Sequence, residues 1–505
     1  MRDKQVAFGA LISYIAIAFN IISGLLYTPW MIRSIGSNQY ALYTLALSII
    51  NIFLMDFGIG SAVTKFLSNY YARGEYDEAN YFMGAVYKVF ILISSVIAAC
   101  LFVFYFFIDA LYMRLSPKEL VIFKQLFIIV ATYSVFSFPF TSFNGVLMAN
   151  EKFIEVKLCN LGQKVFNVIT IVVLLLSGMG VFALVLTYAS SNVVFLLAKY
   201  IIIKIRTTQR VVWKSNHDKI LIKKLFGFSI WVTIMSVAQR CIFNIMPSVI
   251  AAVIGSEAIT TFSLAATLEG YVNTFADAIN GMFLPKISRI LVQENTQERL
   301  SELMIKVGKF HVYTLGLIFI GFFCFGKQFV TLWMGEGYDG IYACALLLIF
   351  PSLISVPQQV ANTALLAKDI IKEQAFIYVG MGLSNLALSV ILLKKIGIVG
   401  AAISICIAYL LKTGAMNFLY NKMLPINLKK YFNDVYFLWG FVAGASILCG
   451  IVINRLQFAK GWFELCIKVI LITVVYGILL FKTCIKKKQL EDIVRMVNGR
   501  LKKRV

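Results

Sequence analysis

Long apolar runs separated by short polar segments dominate this sequence. The run VFILISSVIAACLFVFYFFI at 89–108, for example, contains no charged residue. A helix needs roughly 20 apolar residues to cross about 30 Å of hydrocarbon, whereas the strands of a membrane barrel alternate apolar and polar residues. Because the runs are unbroken and the backbone must satisfy its own hydrogen bonds in lipid, they predict membrane-spanning helices.

We place about fourteen such spans along the chain. They lie near 8–30, 40–62, 85–108, 121–142, 157–176, 181–203, 224–254, 259–284, 309–329, 343–366, 375–393, 399–419, 435–453 and 465–483. An even number of spans puts both termini on one side. Lys and Arg concentrate in the segments on that side, so the positive-inside rule predicts that both termini are cytoplasmic.

One stretch of the sequence occurs twice. IGSNQYALYTLALS at 35–48 returns in altered form as IGSEAITTFSLAAT at 254–267, and the same offset places the span 8–30 on 224–254. Six spans lie between equivalent points, so the two copies have the same orientation. This pattern predicts a parallel repeat, and parallel repeats place a transport pathway at the interface between the halves.

The predicted architecture is therefore an all-α integral membrane protein with two parallel six-helix lobes, at 1–203 and 224–419. A basic cytoplasmic linker at 204–223 joins the lobes, two further helices follow at 420–483, and a basic amphipathic cytoplasmic tail occupies 484–505.

The composition fits this architecture. The chain of 505 residues is 60% hydrophobic and 14% charged, whereas soluble domains carry about 25% charged residues. Its formal net charge is +23, and most of this charge flanks the spans, where lipid headgroups attract it. We therefore expect contact with membrane lipids and no nucleic-acid partner. The nine cysteines are scattered through apolar runs and predict no disulfide framework.

Arg240 lies in the middle of the span 224–254, where Gln239 and Asn244 give the helix a polar face. A charged side chain at the bilayer centre costs about 2.5–3.5 kcal/mol on insertion scales. Such a residue needs either a buried partner or a hydrated cavity.

Glu269 lies near the middle of the next span, in a polar stripe that continues with Asn273 and has Asp277 beside it. Because Arg240 and Glu269 are on consecutive helices, they could pair. Two interpretations stay open, a structural ion pair between the halves and a hydrated cavity lined by both helices.

The first half of the chain also carries polar residues within its predicted spans. They are Asn20 in the first span, Asp56 in the second span, Lys65 at the inner end of that span, and Lys164. Asn20 falls on Gln239 at the repeat offset, so the two halves place polar groups at matching depth. The long stem of Lys164 could instead carry its charge to the end of the span.

Other features have simpler explanations. Lys468 lies near a span end, where we expect its ammonium group to reach the membrane surface. GFFCFGKQ at 321–328 has Gln328 where a phosphate-binding loop needs Ser or Thr. His217 and His311 are the only histidines and lie in different segments, so they predict no metal site or catalytic triad. We predict no enzymatic activity.

Several motifs resemble those of bacterial polysaccharide flippases. GSNQYALYTLALSIINIFLMDFGIGSAVTKF at 36–66 is similar to the family's second span, with matching residues Gly36, Tyr40, Asp56, Gly58, Gly60 and Lys65. Further similar segments are NGVLMANEKF at 144–153, FLPKISRI at 283–290 and KKIGIVGAAISICIAYLL at 394–411.

The resemblance is to the Wzx-type group of the MOP superfamily, which also holds MATE exporters and lipid II flippases. It implies two six-helix lobes around a central cavity, worked by alternating access. It also implies a flippase that moves undecaprenyl-diphosphate-linked oligosaccharide repeat units from the inner to the outer leaflet of the bacterial plasma membrane, for surface polysaccharide biosynthesis.

This substrate suggests roles for the polar residues within the spans. Arginine and lysine contact phosphate groups well, so the diphosphate candidates are Arg240, Lys65 and Lys164. The candidates for lining the sugar path are Asn20, Gln239, Asn244 and Asn273. The candidates for balancing charge or binding a coupling proton or sodium ion are Asp56, Glu269 and Asp277.

No other cofactor is expected, and the remaining partner expectations are the polysaccharide polymerase machinery and a monomeric state. The alternatives are a lipid II flippase and a MATE-type drug or cation antiporter of the same superfamily. A repeat-unit polymerase would need a substantial outer loop, and the predicted outer loops are short. A scaffold without transport activity would not need Arg240 and Glu269 within the membrane.

Overall fold

The computed structural model describes residues 2–53, 59–213, 230–231, 233–240, 242–280, 287, 290–291, 296–368, 370–456 and 460–484; within these, it does not describe the side chains at 2–11, 59, 61 and 275–280. Every regular element in these ranges is a helix. The predicted all-α fold class is therefore confirmed.

The chain divides into two compact units. The first unit comprises Met1–Ala266 and Ile371–Ala408, and the second comprises Thr267–Ile370 and Tyr409–Val505. The lobe boundaries expected from the sequence stay predictions.

Helices of the first unit pack mainly as α1 on α7, α7 on α8 and α2 on α5. The helices that end before the unit boundary at Ala266 are α1 Arg2–Ile35, α2 Ser37–Phe53, α3 Ile59–Arg73, α4 Tyr76–Leu111, α5 Pro117–Ser137, α6 Phe143–Ala149, α7 Phe153–Leu176, α8 Phe182–Arg206, α9 Thr233–Asn244 and α10 Met246–Val253. The boundary between the two units falls inside α11, Glu257–Asn280.

The second unit is built around a long helix, α12, which packs against the last two helices, α19 and α20. The remaining helices of the chain are α12 Thr296–Met334, α13 Gly340–Ile349, α14 Ser352–Ser355, α15 Gln359–Ala367, α16 Lys372–Ile396, α17 Ile398–Met423, α18 Leu428–Phe432, α19 Leu438–Arg455 and α20 Gly461–Thr483. Of these, α16 and the first part of α17 belong to the first unit.

Eleven helical spans in the described ranges are long and apolar enough to cross a membrane, or twelve if α9 and α10, bent by 41°, are one span. The bent pair corresponds to the predicted span 224–254, and two of the fourteen predicted spans are in neither count. The span 40–62 includes residues 54–58, which lie outside the described ranges. The span 259–284 corresponds to α11, whose polar stripe lowers its hydropathy. Large apolar side chains such as Leu26, Phe102 and Phe441 are exposed along the helices, as lipid contact requires. The chain is a multi-pass membrane protein.

The repeated stretch forms the same local structure twice. Gly36 and Gly255 have φ angles of +87° and +98°, and a helix begins within two residues of each. These left-handed angles favour glycine because it has no Cβ. The copies also touch, since Thr260 Oγ1 donates a 2.8 Å hydrogen bond to the Ser37 carbonyl oxygen.

Prolines lie where several helices break. Pro139 lies in a 3₁₀ turn between α5 and α6, and Pro351 and Pro357 lie where α13, α14 and α15 break. Each proline removes a backbone donor that a continuous helix needs. Pro29 differs, because α1 continues through it.

The expectation that Lys468 reaches the membrane surface is wrong. Lys468 is only 4% exposed, and its Nζ lies 3.0 Å from Glu464 Oε1. Nζ also donates to Gln328 Oε1 at 3.3 Å and to the Asn454 carbonyl oxygen at 3.2 Å. Because α12, α19 and α20 satisfy the ammonium group locally, it has no need of water.

Candidate functional site

The structure brings two predicted site residues to one cavity within the first unit. Asn20 of α1 and Lys164 of α7 both line a space of about 490 Å³. The other polar residues of its lining are Ser13, Lys157, Asn160, Gln163 and Asn167. We call this space the α1–α7 cavity.

Helical spacing explains how α7 presents so many polar groups. Lys157, Asn160, Lys164 and Asn167 recur at intervals of three and four residues, which places them on one face of the helix. A Cβ at Gly162 would lie 2.8 Å from the Phe195 ring, so glycine allows this close approach of α8.

Side chains of α8 hold two amides of this face. Gln163 Nε2 donates to Asn192 Oδ1 at 2.7 Å, and Asn192 Nδ2 donates to the Tyr188 carbonyl oxygen at 2.6 Å. Lys199 Nζ donates to Asn160 Oδ1 at 3.3 Å. These bonds fix the amides before any ligand arrives, which reduces the entropy cost of binding.

The charge of the α1–α7 cavity is positive. Lys157 and Lys164 line it, and no carboxylate does so among the residues that the structure describes. The nearest acidic residue along α7, Glu155, accepts a 3.2 Å ion-pair contact from Arg206. Asn167 Oδ1 is buried with no hydrogen-bond partner in the described part of the chain. The cavity is therefore suited to an anion that also offers hydrogen-bond donors.

Sequence reasoning missed Ser13, Lys157, Asn160, Gln163 and Asn167. Polar residues at helical spacing along the α7 sequence were the available signal, because an ordinary lipid-facing span lacks such a stripe. Their convergence with α1 could be read only from the fold.

Glu269 and Asn273 form a separate polar cluster in the second unit. Glu269 is 6% exposed, and its Oε1 accepts a hydrogen bond from Asn273 Nδ2 one helical turn later. Ser352 Oγ donates to Asn273 Oδ1 at 3.4 Å. Glu269 and Asn273 thus lie on one face of this helix, and both the amide nitrogen and the amide oxygen of Asn273 have protein partners.

The other cationic candidates do not line the α1–α7 cavity. Arg240 and Gln239 are exposed on α9, and Asn244 is half-buried at the end of that helix. Lys65 is exposed on α3. The structure therefore does not gather all three diphosphate candidates into this one cavity.

Two acidic candidates lie outside the described residues. Asp56 falls in the range 54–58, and the Asp277 side chain is among those of α11 that the structure does not describe. The pairing of Arg240 with Glu269 stays a prediction. In the described ranges, no group of three or more His, Cys, Asp or Glu residues is arranged to hold a metal ion.

Comparison with known families and structures adds two findings. The family model described as "Polysaccharide biosynthesis protein" matches residues 6–291, which is more than half of the chain. No curated protein matches the chain at a significant level.

Similar solved structures include a lipid II flippase and MATE transporters. The lipid II flippase MurJ, in an inward closed conformation, has a TM-score of 0.67 at 16% identity, over 95% of this chain and 98% of MurJ. An inward-facing multidrug resistance MATE family transporter of the MOP superfamily has a TM-score of 0.64 at 13% identity, over 82% and 98%. The Vibrio cholerae MATE transporter VcmN in its bent form gives 0.56 at 14%, over 83% and 96%. The chain thus shares its fold with MurJ and with MATE transporters.

Proposed function

Because the chain belongs to the polysaccharide biosynthesis protein family, we propose that it flips undecaprenyl-diphosphate-linked oligosaccharides from the inner to the outer leaflet of the bacterial plasma membrane. Alternating access would expose the substrate path to each side in turn. The proposal includes cytoplasmic termini, since Lys and Arg concentrate on that side of the predicted spans.

The cationic α1–α7 cavity is the observation that carries this proposal. A lysine within a span costs about 2.5–3.5 kcal/mol on insertion scales, so its presence needs a function or a partner. Lys164 has no ion-pair partner among the described residues. We assign Lys164 and Lys157 to the diphosphate, and Asn20 and Asn167 to hydrogen bonds with phosphate oxygens or sugar hydroxyls.

We assign the remaining candidate site residues to other steps of the same transport process. We assign Arg240 and Lys65 to the diphosphate on its way through the protein, with Gln239, Asn244 and Asn273 along the sugar path. Glu269, Asp56 and Asp277 would balance these cations or bind a coupling proton or sodium ion. The buried Glu269 supports this assignment, because an intramembrane carboxylate commonly marks an ion or substrate pathway.

The test is restoration of surface polysaccharide in a bacterial host that lacks its own flippase. We would express the native chain, Lys164→Ala, Lys164→Arg and Arg240→Ala at matched levels. The assay measures surface polymer and the lipid-linked repeat units that accumulate inside. Lys124→Ala is the matched control, because Lys124 pairs with Asp109 at 2.6 Å and does not line the cavity.

We expect the native chain and the control to restore the polymer. Lys164→Ala should lower it by about tenfold or more, and Lys164→Arg should retain most of it, because charge-assisted bonds to phosphate are the strong ones. Equal restoration by Lys164→Ala and the native chain would remove the cavity from the mechanism. If the chain instead restores growth to a host depleted of its lipid II flippase, the substrate is lipid II.

A further inference from the structure

A larger cavity lies at one end of the first unit. It measures about 960 Å³, and the ends of α3 and α8, the start of α4 and the turn between α6 and α7 surround it. By the predicted topology this end is cytoplasmic. We call it the inner cavity. Ligand sites have volumes of about 300–1,000 Å³, so a molecule larger than a single ion fits.

Hydrogen bonds fix the polar wall of the inner cavity. Gln209 is 6% exposed, and Tyr71 Oη donates to its Oε1. Asn150 Nδ2 donates to Tyr71 Oη at 3.3 Å, and Gln209 Nε2 donates to Asn80 Oδ1 at 2.9 Å. Burial raises the pKa of Tyr71, while its bond from Asn150 opposes this. Tyr71 therefore remains a hydroxyl donor at neutral pH.

The chain after α8 completes this wall. Residues 207–213 run along α4, where the Val212 N–H donates to the Asn80 carbonyl oxygen at 3.3 Å. A Cβ at Gly84 would lie 1.9 Å from the Val212 carbonyl oxygen. Only glycine at this position lets the segment lie so close, and Thr207 and Thr208 of the same segment line the cavity.

The lining has the composition of a sugar site. Tyr76 is 52% exposed, and its ring centroid is 6.0 Å from that of Tyr71, so an aromatic surface is available to a sugar ring. Five of the other thirteen lining residues carry hydroxyl groups and five are apolar, and the charged residues of the lining are one acid, Glu151, and one base, Arg206. Such a neutral lining matches a polyhydroxylated ligand better than a phosphate.

The backbone of Glu151 adds a second sign of a built site. Its φ angle is +58°, and it is the one positive-φ residue other than glycine in the described part of the chain. Such conformations cost of order 1–3 kcal/mol and cluster at ligand sites. Hydrogen bonds from the Glu151 N–H to the Met148 carbonyl oxygen at 3.1 Å and from the Lys152 N–H to the Leu147 carbonyl oxygen at 2.9 Å hold this turn between α6 and α7.

We propose that the inner cavity binds the oligosaccharide portion of the lipid-linked substrate before it is flipped. This inference rests on the proposed function. Phe153 lines the inner cavity and Lys157 lines the α1–α7 cavity, one helical turn apart on α7. Neighbouring parts of one molecule can therefore occupy the two cavities, with the sugars nearer the cytoplasm and the diphosphate deeper in the membrane.

The experiment uses the full chain in lipid nanodiscs and two soluble probes, with binding measured by calorimetry. One probe is the phosphate-free oligosaccharide, released by mild acid from the lipid carrier of a host that the chain restores. The other is farnesyl diphosphate, which has no sugar. The variants are Tyr76→Ala, Tyr76→Phe and Lys164→Ala. Tyr200→Ala is the control, because Tyr200 is 48% exposed on α8 and does not line the inner cavity.

We expect Tyr76→Ala to weaken oligosaccharide binding by about tenfold or more, as loss of an aromatic anchor does, and to leave farnesyl diphosphate binding unchanged. Tyr76→Phe and the control should bind the oligosaccharide like the native chain, and Lys164→Ala should weaken farnesyl diphosphate alone. Oligosaccharide binding that is absent, or unaffected by Tyr76→Ala, would overturn the inference and leave the proposed function standing. If the native chain restores no flippase-deficient host and does not bind farnesyl diphosphate, both this inference and the proposed function are overturned.

Discussion

Ser256 Oγ donates a 2.5 Å hydrogen bond to Glu119 Oε1 and so joins the second copy of the repeated turn to the start of α5. Glu119 Oε2 meanwhile accepts a 2.8 Å bond from the Ser116 N–H in the capping box of α5. One carboxylate thus closes a helix cap and holds a distant turn. By the predicted topology this contact lies on the outer side of the membrane.

Ser256→Ala should destabilise the folded protein while leaving the α5 cap intact. A hydrogen bond to a charged group contributes about 1.5–3 kcal/mol, so we expect a lower thermal unfolding midpoint in detergent. Glu119→Ala should cost more, because it also removes the carboxylate that accepts from the Ser116 N–H in the capping box. Thermal unfolding of both variants and of Ser116→Ala checks this order. Equal midpoints for Ser256→Ala and the native chain would contradict it.

Removing one partner of the buried Lys468–Glu464 pair should be severe. Lys468→Ala leaves the Glu464 carboxylate buried without its cation, which typically costs about 3–5 kcal/mol. The double variant Glu464→Leu/Lys468→Met removes both charges and should recover most of that loss. Folded yield and unfolding midpoint in detergent measure both effects.

The comparison for this pair is the Lys124–Asp109 pair, whose side chains are 26% and 60% exposed. Lys124→Ala should change the unfolding free energy by less than about 1 kcal/mol, because solvent screens exposed pairs. A loss as large as that of Lys468→Ala would show that burial is not what sets the cost.

The helical fold was predictable because apolar runs of span length have few alternatives in lipid. The repeated turns were predictable too, since Gly36 and Gly255 mark left-handed positions that few other residues adopt. The burial of Lys468 was not predictable, because its partner Gln328 lies 140 residues away in the sequence.

The candidate site was predictable only in part. Asn20 and Lys164 were each identified as polar residues within spans, but their shared cavity depends on the packing of α1 against α7. Lys157 and Asn160 lie near the start of a span, where polar residues are common, so neither stands out alone. Only the spacing along α7, seen together with the facing helix, distinguishes them.

Tyr112 gives a prediction about pH. Burial raises the pKa of Tyr112 to about 12, although its hydrogen bond with Ser248 acts to lower that pKa. The Tyr112 Oη and Ser248 Oγ atoms are 2.5 Å apart. The folded protein therefore favours the protonated phenol relative to the unfolded chain, whose tyrosines titrate near pH 10. This contribution is fully present below about pH 10 and is lost as pH rises toward about 12.

Tyr112→Phe should consequently lower the unfolding midpoint by a constant amount between pH 6 and 9, corresponding to about 0.5–1.5 kcal/mol for a neutral hydrogen bond. The difference between the variant and the native chain should shrink above pH 10. A difference that already changes between pH 6 and 9 would assign the titration to another group.

Asn167→Asp should decide the sign of the ligand in the α1–α7 cavity. The change is nearly isosteric and places a carboxylate among Lys157 and Lys164. If the cavity binds a diphosphate, the new charge repels it, and two unit charges about 7 Å apart at an effective dielectric constant of about 20 interact by about 2 kcal/mol. We therefore expect surface polysaccharide to fall by about tenfold or more, and further than in the uncharged variant Asn167→Leu. A drug or cation antiporter would respond in the opposite way, with Asn167→Asp raising tolerance to cationic drugs in a hypersensitive host, and that result would exclude the diphosphate assignment.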